Sequence, residues 1–227
     1  MPTFFEKLIA ETRAEQMEMT RIPQIMDACS GRITRESYIA YLSQAYHHVR
    51  HTVPLMMAAG ARLPQNKEFL RSALVEYVRE EAGHQEWILN DIRNADGDAE
   101  TVRNGQPNAA TEMMVAYAYD FIHRINPAGF FGMVFVLEGT STALATNAAG
   151  AIQSALGLPA TCFSYLRSHG SLDIDHLKYF EKLINQIDDP EDQSAIIHMA
   201  RRMFLLFGNV FRSIPHTTTE ARHAAIG

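Results

Sequence analysis

Two side chains that could share a metal ion lie in the segment "YVREEAGHQEW". Glu81 and His84 are three residues apart, and on one helix this spacing points both side chains toward the same neighbour. Helical bundles that hold two carboxylate-bridged iron or manganese ions use the same Glu-x-x-His spacing. Glu80 is the neighbouring alternative for the acidic position, and an exposed helical pair is the simpler interpretation of the motif taken alone.

A second cluster lies in "SHGSLDIDHLKYF", which contains His169, Asp173 and His176. An α-helix turns about 100° per residue, so positions i, i+4 and i+7 fall within roughly 60° of arc and share one face. Gly170 could interrupt this helix, because glycine in a helix costs about 1 kcal/mol relative to alanine. A structural hydrogen-bond network is an equally open interpretation of the three side chains.

The most apolar segment, "AGFFGMVFVLEGTSTALATNAAGAIQSAL", contains one ionisable residue, Glu138. A carboxylate in such surroundings must be paired, protonated or bound to a cation, because burial of an uncompensated charge is very costly. Arg50 or Arg124 could supply the partner, and a metal ion is the other candidate. Together the three clusters offer three carboxylates and three imidazoles without a thiolate, which suits a dinuclear iron or manganese site.

The segments that carry these clusters show helical periodicity, and no alternating β-strand pattern competes with it. The spacing predicts helices over about 3–19, 22–29, 35–62, 66–94, 109–124, 127–157, 160–187 and 191–213. Pro54 is expected to kink the third of these. The fold class is therefore predicted to be all-α, with a single-domain bundle of about seven helices at 1–215 and a flexible C-terminal tail at 216–227.

Composition narrows the classes of function. The 227 residues are 47% hydrophobic and carry a formal net charge of -6, without the basic patch that nucleic acid or an anionic membrane requires. Cys29 and Cys162 are too few for a disulfide framework. Neither a signal peptide nor an apolar run of roughly 18 residues is evident. The sequence thus predicts a cytoplasmic protein with a small-molecule substrate, and we expect a homodimer.

Three motifs in order, "EEAGH", "VLEGT" and "HGSLDIDH", resemble those of the haem-oxygenase-like diiron oxidases and oxygenases. These proteins are often grouped as iron-containing redox enzymes and are related to thiaminase II and pyrroloquinoline quinone synthase. The resemblance covers residues 5–213 and implies a haem-oxygenase-like bundle. Position by position, it implies six iron ligands, of which Glu138 bridges the metals: Glu81, His84, Glu138, His169, Asp173 and His176. Glu80 is the alternative to Glu81.

The resemblance also implies an activity. Two Fe(II) ions per chain, with dioxygen as co-substrate, would oxidise a small fatty-acid-like or amino-acid-like molecule inside the bundle, and Glu138, Glu81 and His84 would be the catalytic ligands. The alternative is a metal-free relative of thiaminase II or the quinone synthase that binds a small molecule or oxidises it without a cofactor. Thiaminase II needs a nucleophilic cysteine in its pocket. Haem binding would require a proximal histidine near the N-terminus, whereas the first histidine is His47.

Further residues are candidates for substrate contact. Some family members take an additional carboxylate from the long helix that here carries "YHHVRH", so His47, His48 or His51 could bind metal or substrate, and a hydrogen-bonded histidine is the alternative. Arg50 could hold a substrate carboxylate through a bidentate pair. Phe131 and the other apolar residues of "GFFGMVF" are expected to form an apolar wall, with ordinary core packing as the alternative.

Overall fold

The computed structural model describes residues 2–216 of this chain, apart from the side chains of residues 169–177. Within that range the chain forms eleven α-helices and no β-strand. This confirms the all-α prediction, although several predicted helices divide in two and the count exceeds about seven. The helices are α1 (Phe4–Thr20), α2 (Pro23–Cys29), α3 (Arg35–Val49), α4 (Thr52–Arg62), α5 (Glu68–Glu81), α6 (His84–Asn94), α7 (Ala99–Asn104), α8 (Ala109–Asp120), α9 (Phe130–Leu156), α10 (Ser164–Ile184) and α11 (Pro190–Arg212).

The predicted helix over 35–62 is two helices. α3 ends at Val49, Arg50 and His51 form a turn, and α4 begins at Thr52. Pro54 lies in the first turn of α4, where backbone N–H groups have no partner within the helix and the missing N–H of proline costs nothing. The proline therefore helps to start a new helix instead of kinking a continuous one.

The predicted helix over 66–94 also divides, at the motif that carries the candidate ligands. α5 ends at Glu81 and α6 begins at His84. Gly83 between them has a φ of 97°, in the left-handed region that glycine adopts without steric cost. The prediction that one continuous helix carries Glu81 and His84 is therefore wrong, and a glycine turn sets their relative position.

α9 is the central helix and packs side by side with α11. A Cβ on Gly132 would lie 2.3 Å from the carbonyl oxygen of Ile196, so only glycine allows this close approach. Three residues later, Phe135 contacts Phe204 edge to face at 6.2 Å between ring centroids. Since both contacts advance together along the two helices, α9 and α11 run in the same direction.

The segment Pro127–Leu156, which includes α9, is long and apolar enough to cross a membrane by length and composition. Most of it is buried against other helices within the described part of the chain. The core helix of a soluble protein meets the same criteria, and the burial of this segment matches that case.

α3 packs against α11 in the opposite direction. At the start of α3, Ser37 Oγ donates a hydrogen bond to the carbonyl oxygen of Pro215 at 2.8 Å. Farther along, Tyr41 stacks on Phe211 with centroids 5.7 Å apart. As residue numbers rise in α3 they fall in α11, so the two helices are antiparallel and form two walls of the bundle interior.

Candidate functional site

α2, α3, α9 and α11 surround an elongated cavity with an empty volume of about 1460 Å³, including its opening to solvent. The wall supplied by α9 is one stripe of residues three or four positions apart, which is the spacing of a single helix face. This stripe is mostly apolar and consists of Phe130, Met133, Val134, Leu137, Glu138, Ser141, Leu144, Ala145, Ala148 and Ile152, with Thr140 lining the cavity beside it.

Glu138 lies on this cavity-facing stripe of α9. The residue is half-buried, and its Oε2 atom is shielded from solvent. Neither arginine considered as its partner is among the residues that line the cavity: Arg50 is exposed, and Arg124 is a surface residue bound to Asp120 at 2.9 Å. The apolar helix therefore presents its one carboxylate to the cavity.

Glu81 lines the same cavity from the end of α5. Its side chain is 10% exposed, and Oε2 lies 3.0 Å from Nδ1 of His84, whose side chain is 6% exposed. The indole ring of Trp87 stacks on the imidazole at 4.0 Å. Glu80, the alternative, is exposed. Since the carboxylate of Glu81 contacts the imidazole of His84, the two groups are close enough to bind one metal ion and to fix each other's orientation.

His48 is the histidine of "YHHVRH" that lines the cavity, and its ring meets Phe207 edge to face at 5.6 Å. His47 is buried outside the cavity lining. His51 is also outside the lining, with Nδ1 3.2 Å from the hydroxyl of Tyr119. Burial lowers the pKa of both His47 and His51. The substrate contacts predicted for His47 and His51 thus find no support in their positions, whereas His48 faces the cavity.

The helix directions place His48 near the level of Glu138. Phe135 of α9 contacts Phe204 of α11, and the helices run in the same direction. Glu138 and Phe207 each lie three residues farther along, about one turn. Because His48 contacts Phe207, its imidazole lies near the same level of the cavity as the carboxylate of Glu138.

Arg50 and Phe131 do not line the cavity. Arg50 is exposed, and its guanidinium lies 5.8 Å from the ring centroid of Tyr46. Phe131 is fully buried in the core on another face of α9, since each residue turns about 100° from the one before. Of the residues predicted to form an apolar wall in this segment, Phe130 and Met133 line the cavity whereas Phe131 does not. The predicted substrate contacts of Arg50 and Phe131 therefore find no support in their positions.

His169, Asp173 and His176 belong to α10, but their side chains lie outside the described residues, so their ligand role stays a prediction. Among the described residues, no group of three or more His, Cys, Asp or Glu side chains converges as a metal site. Three of the six predicted ligands, Glu81, His84 and Glu138, are among these described residues.

Asp91 fixes the start of α10, and sequence analysis did not single it out. This fully buried side chain on α6 accepts hydrogen bonds from the backbone and hydroxyl of Ser164 and, at 2.9 Å, from the backbone N–H of Tyr165. Burial raises the pKa of Asp91. The helix that begins with His84 therefore caps the helix that carries the predicted His-Asp-His cluster. The sequence feature that could have identified Asp91 is an acidic residue on the otherwise apolar face of "HQEWILNDIRN".

Three polar residues at another part of the cavity form a group that we call the mouth cluster: Asp27, Arg32 and His216. Arg32 donates through Nε and Nη2 to Oδ1 of Asp27 at 3.1 and 2.9 Å. His216 Nε2 lies 2.6 Å from Oδ2 of the same carboxylate. The side chains of Arg32 and His216 are 51% and 44% exposed, so the cavity reaches the surface here. His216, the first residue of the predicted tail, is held against α2.

The cysteines do not provide an activated nucleophile. Cys29 lines the cavity and is half-buried, and Cys162 is buried outside the lining. Burial raises the pKa of both thiols, which keeps them protonated and weakly nucleophilic near neutral pH. Cys29 is thus not activated as the nucleophilic cysteine that thiaminase II chemistry requires.

Comparisons with known proteins bear on the family and the fold of this chain. A family model described as "Iron-containing redox enzyme" matches residues 39–208, which include all six predicted ligands. No curated protein matches the chain.

Similar solved structures include a Shewanella denitrificans domain of unknown function with a heme oxygenase-like fold, at 24% identity and a TM-score of 0.79 over 90% of this chain and 88% of that one. A TenA homologue from Pseudomonas syringae is 11% identical with a TM-score of 0.77, covering 93% and 92%. Heme oxygenase-1 from the cyanobacterium Synechocystis, in complex with heme, is 12% identical with a TM-score of 0.75, covering 99% and 98%.

At these identities the solved structures establish the fold alone, since one fold supports many chemistries. The family match extends over most of the chain and includes α9 and most of α3 and α11, three of the helices that surround the cavity. This chain therefore belongs to the family of iron-containing redox enzymes and has a haem-oxygenase-like fold.

Proposed function

We propose that this protein is a non-haem diiron enzyme that uses dioxygen to oxidise a small organic substrate held in the cavity. The observation that carries the proposal is that carboxylates from two different helices, Glu81 and Glu138, line one cavity with mostly apolar walls. His48 lines the same cavity, and His84 contacts Glu81. We refer to His48, Glu81 and Glu138 as the carboxylate end of the cavity.

The donor atoms at the carboxylate end fit iron. Carboxylate oxygen and imidazole nitrogen are the ligands of dinuclear iron sites in helical bundles, whereas zinc and iron–sulfur sites commonly use thiolates. The family resemblance adds His169, Asp173 and His176, which would bring the ligand set to six. When bound, two Fe(II) ions would supply the activation of dioxygen.

The protein's own groups would orient the ligands and protect the reaction from water. Oε2 of Glu81 lies 3.0 Å from Nδ1 of His84, and the stacked indole of Trp87 restricts the rotation of the imidazole ring. The stripe of α9 beside Glu138 consists mainly of aliphatic and small residues, which favour an alkyl chain over a charged or peptide-like group. These walls support a fatty-acid-like substrate more than an amino-acid-like one.

Anaerobic titration of the metal-free protein with Fe(II) tests the proposal. We expect two Fe(II) ions per chain, followed by dioxygen uptake. The variant Glu81→Gln should lose Fe(II) affinity by at least the 10- to 100-fold that loss of an outer-shell partner costs. The exposed neighbour provides a matched control, Glu80→Gln, which should bind Fe(II) like the wild type.

Other outcomes identify the alternatives. If the protein does not bind Fe(II) at saturating concentration, and if Glu81→Gln and Glu80→Gln behave alike, the ligand assignment is contradicted. Oxidation that continues after complete chelation would identify a cofactor-free oxidase. Stoichiometric binding of hemin with a Soret band, in a protein that does not bind Fe(II), would assign the iron of this family member to haem.

A further inference from the structure

We propose that the mouth cluster binds the carboxylate of a linear fatty acid through Arg32, with the alkyl chain extending along α9 toward Glu138. The carboxylate end would then receive the far part of the chain and not the acid group. This inference rests on the proposed function for the oxidation chemistry, but the binding orientation can be tested in metal-free protein.

Arg32 has the chemistry to hold a carboxylate. Among the described residues that line the cavity, it is the only arginine or lysine. Its guanidinium has five N–H donors, and Asp27 receives bonds from Nε and Nη2. No contact of Nη1 occurs among the residues that the structure describes. The Nη1 edge can therefore donate to a carboxylate while the Asp27 pair fixes the plane of the guanidinium.

The charges of the cavity favour this orientation over the reverse one. Glu81 and Glu138 place two carboxyl groups at the carboxylate end, and the described cavity lining has no arginine or lysine there to bind the head of a fatty acid. At the mouth cluster, one arginine and one aspartate balance each other, and His216 is a second group that contacts the aspartate carboxylate. The acid group therefore has its favourable partner at the mouth cluster.

The two ends are separated by the length of a fatty acid. A Cβ on Gly31, the residue before Arg32, would lie 2.9 Å from the carbonyl oxygen of Ala151, so the mouth cluster lies near that turn of α9. At about 1.5 Å per residue, the run from Glu138 to Ala151 spans about 20 Å. On α3, the run from Ser37, beside the C-terminal segment, to His48 spans about 16 Å.

The walls between the ends suit a hydrocarbon. An extended alkyl chain advances about 1.25 Å per carbon, given C–C bonds of about 1.5 Å, so a separation of about 16 to 20 Å corresponds to about 12 to 16 carbons. The intervening face of α9 carries Leu144, Ala145 and Ala148. An amino-acid-sized ligand is too short to contact both ends at once.

Calorimetric binding of dodecanoate and dodecan-1-ol to metal-free, full-length protein tests the proposal, because the two ligands differ only in the head group. The wild type should bind the acid about tenfold more tightly than the alcohol. Arg32→Gln should abolish that difference and change binding of the alcohol less than twofold. Arg35→Gln is the matched control, since Arg35 is also partly exposed but pairs with Asp96 and does not line the cavity.

Two further measurements fix the direction of the chain. Asp27→Asn should tighten acid binding several-fold, because it removes the anion that competes for Arg32. Affinity should rise about fourfold per added methylene from octanoate to dodecanoate and level off near hexadecanoate, where the chain would reach the level of Glu138.

Three results would overturn the proposal. The first is an equal loss of acid and alcohol binding in Arg32→Gln, and the second is no saturable binding of either ligand to the wild type. The third is acid binding that is indifferent to Arg32→Gln but strengthened by Glu138→Gln, which would place the carboxylate at the other end. Loss of Fe(II) binding in the earlier titration would refute the diiron function without altering these results.

Discussion

The two polar ends of the cavity are built in different ways. At the carboxylate end, Glu81 and His84 are almost fully buried and held by a glycine turn and a stacked indole. At the mouth cluster, Arg32 and His216 are about half exposed and meet on one carboxylate. The comparison indicates a rigid end that is suited to ligating metal and an accessible end that is suited to admitting and holding a substrate.

The interactions that hold the two ends in place differ in the same way: they are buried at the carboxylate end and exposed at the mouth cluster. The carboxylate end is connected to α10 through Asp91, whose buried carboxylate receives several hydrogen bonds. The mouth cluster is connected to the residues that directly follow α11 by contacts near the surface, such as that of Gln24 with the carbonyl oxygen of Ile214. Buried polar networks are costly to disturb, whereas exposed ion pairs contribute little to stability.

The largest expected difference concerns iron. Glu138→Gln should weaken Fe(II) binding about 100-fold or more, because it removes a proposed ligand, while Asp27→Asn should leave it within about twofold. Anaerobic Fe(II) titration of both variants measures the contrast. An equal loss in Asp27→Asn would place iron at the mouth cluster and reverse the assignment of the two ends.

Asp91→Ala should destabilise the fold by about 2 to 4 kcal/mol, since it leaves the buried donors of Ser164 and Tyr165 without their acceptor. Urea unfolding measures the loss. The control is Asp98→Ala, which removes an exposed cap on the short helix α7 and should cost about 1 kcal/mol or less. Equal losses in the two variants would show that the carboxylate end has no special support.

Gly83→Ala should cost about 1 to 2 kcal/mol, because alanine is strained at a φ of 97° even though a Cβ there meets no atom within 4 Å. Gly150→Ala, at an equally open position in the interior of α9, should instead stabilise the protein by up to about 1 kcal/mol. Urea unfolding of both separates the backbone effect from side-chain volume. If both variants stabilise the protein, the turn between Glu81 and His84 does not require glycine.

The pH dependence of stability provides a smaller effect at the carboxylate end. Burial raises the pKa of Asp91 in the folded state, so the folded protein binds more protons than the unfolded chain between the ordinary and the raised pKa values. Stability should therefore fall as pH rises through that window. Asp91→Asn should flatten this decline relative to the wild type in urea unfolding at several pH values, and an unchanged profile would assign the pH dependence to other groups.

The sequence predicted several helices well, because helical periodicity depends on local spacing. Periodicity located α1, α2 and α11 within about two residues of their observed ends. The lone charge in an apolar helix singled out Glu138, which lines the cavity, and its role as a ligand stays a prediction. The breaks at His51 and Gly83 were not predicted. Helical periodicity continues across each break, and the packing of neighbouring helices decides where the axis changes direction. The glycine in "EEAGH" was nevertheless a readable signal for the second break.

The mouth cluster could not be predicted from sequence. Asp27 and His216 are 189 positions apart, so no local pattern connects them. Likewise, "YHHVRH" shows three histidines, and only the contact of His48 with Phe207 determines which of them lines the cavity. Features that arise where distant helices meet require the packed structure, whereas features carried by one helix face do not.

The smallest expected effect is at the mouth cluster. His216→Ala should reduce stability by at most about 1 kcal/mol, since its contact with Asp27 is half exposed and screened by solvent. The same variant removes one of the two groups that share the Asp27 carboxylate, so Arg32 is held more tightly by Asp27 and dodecanoate binding should weaken a few-fold. Urea unfolding and calorimetry of one variant measure both quantities. A loss of stability as large as that of Asp91→Ala would mean that the mouth cluster is a structural clamp, and the contrast between an accessible end and a rigid end would not hold.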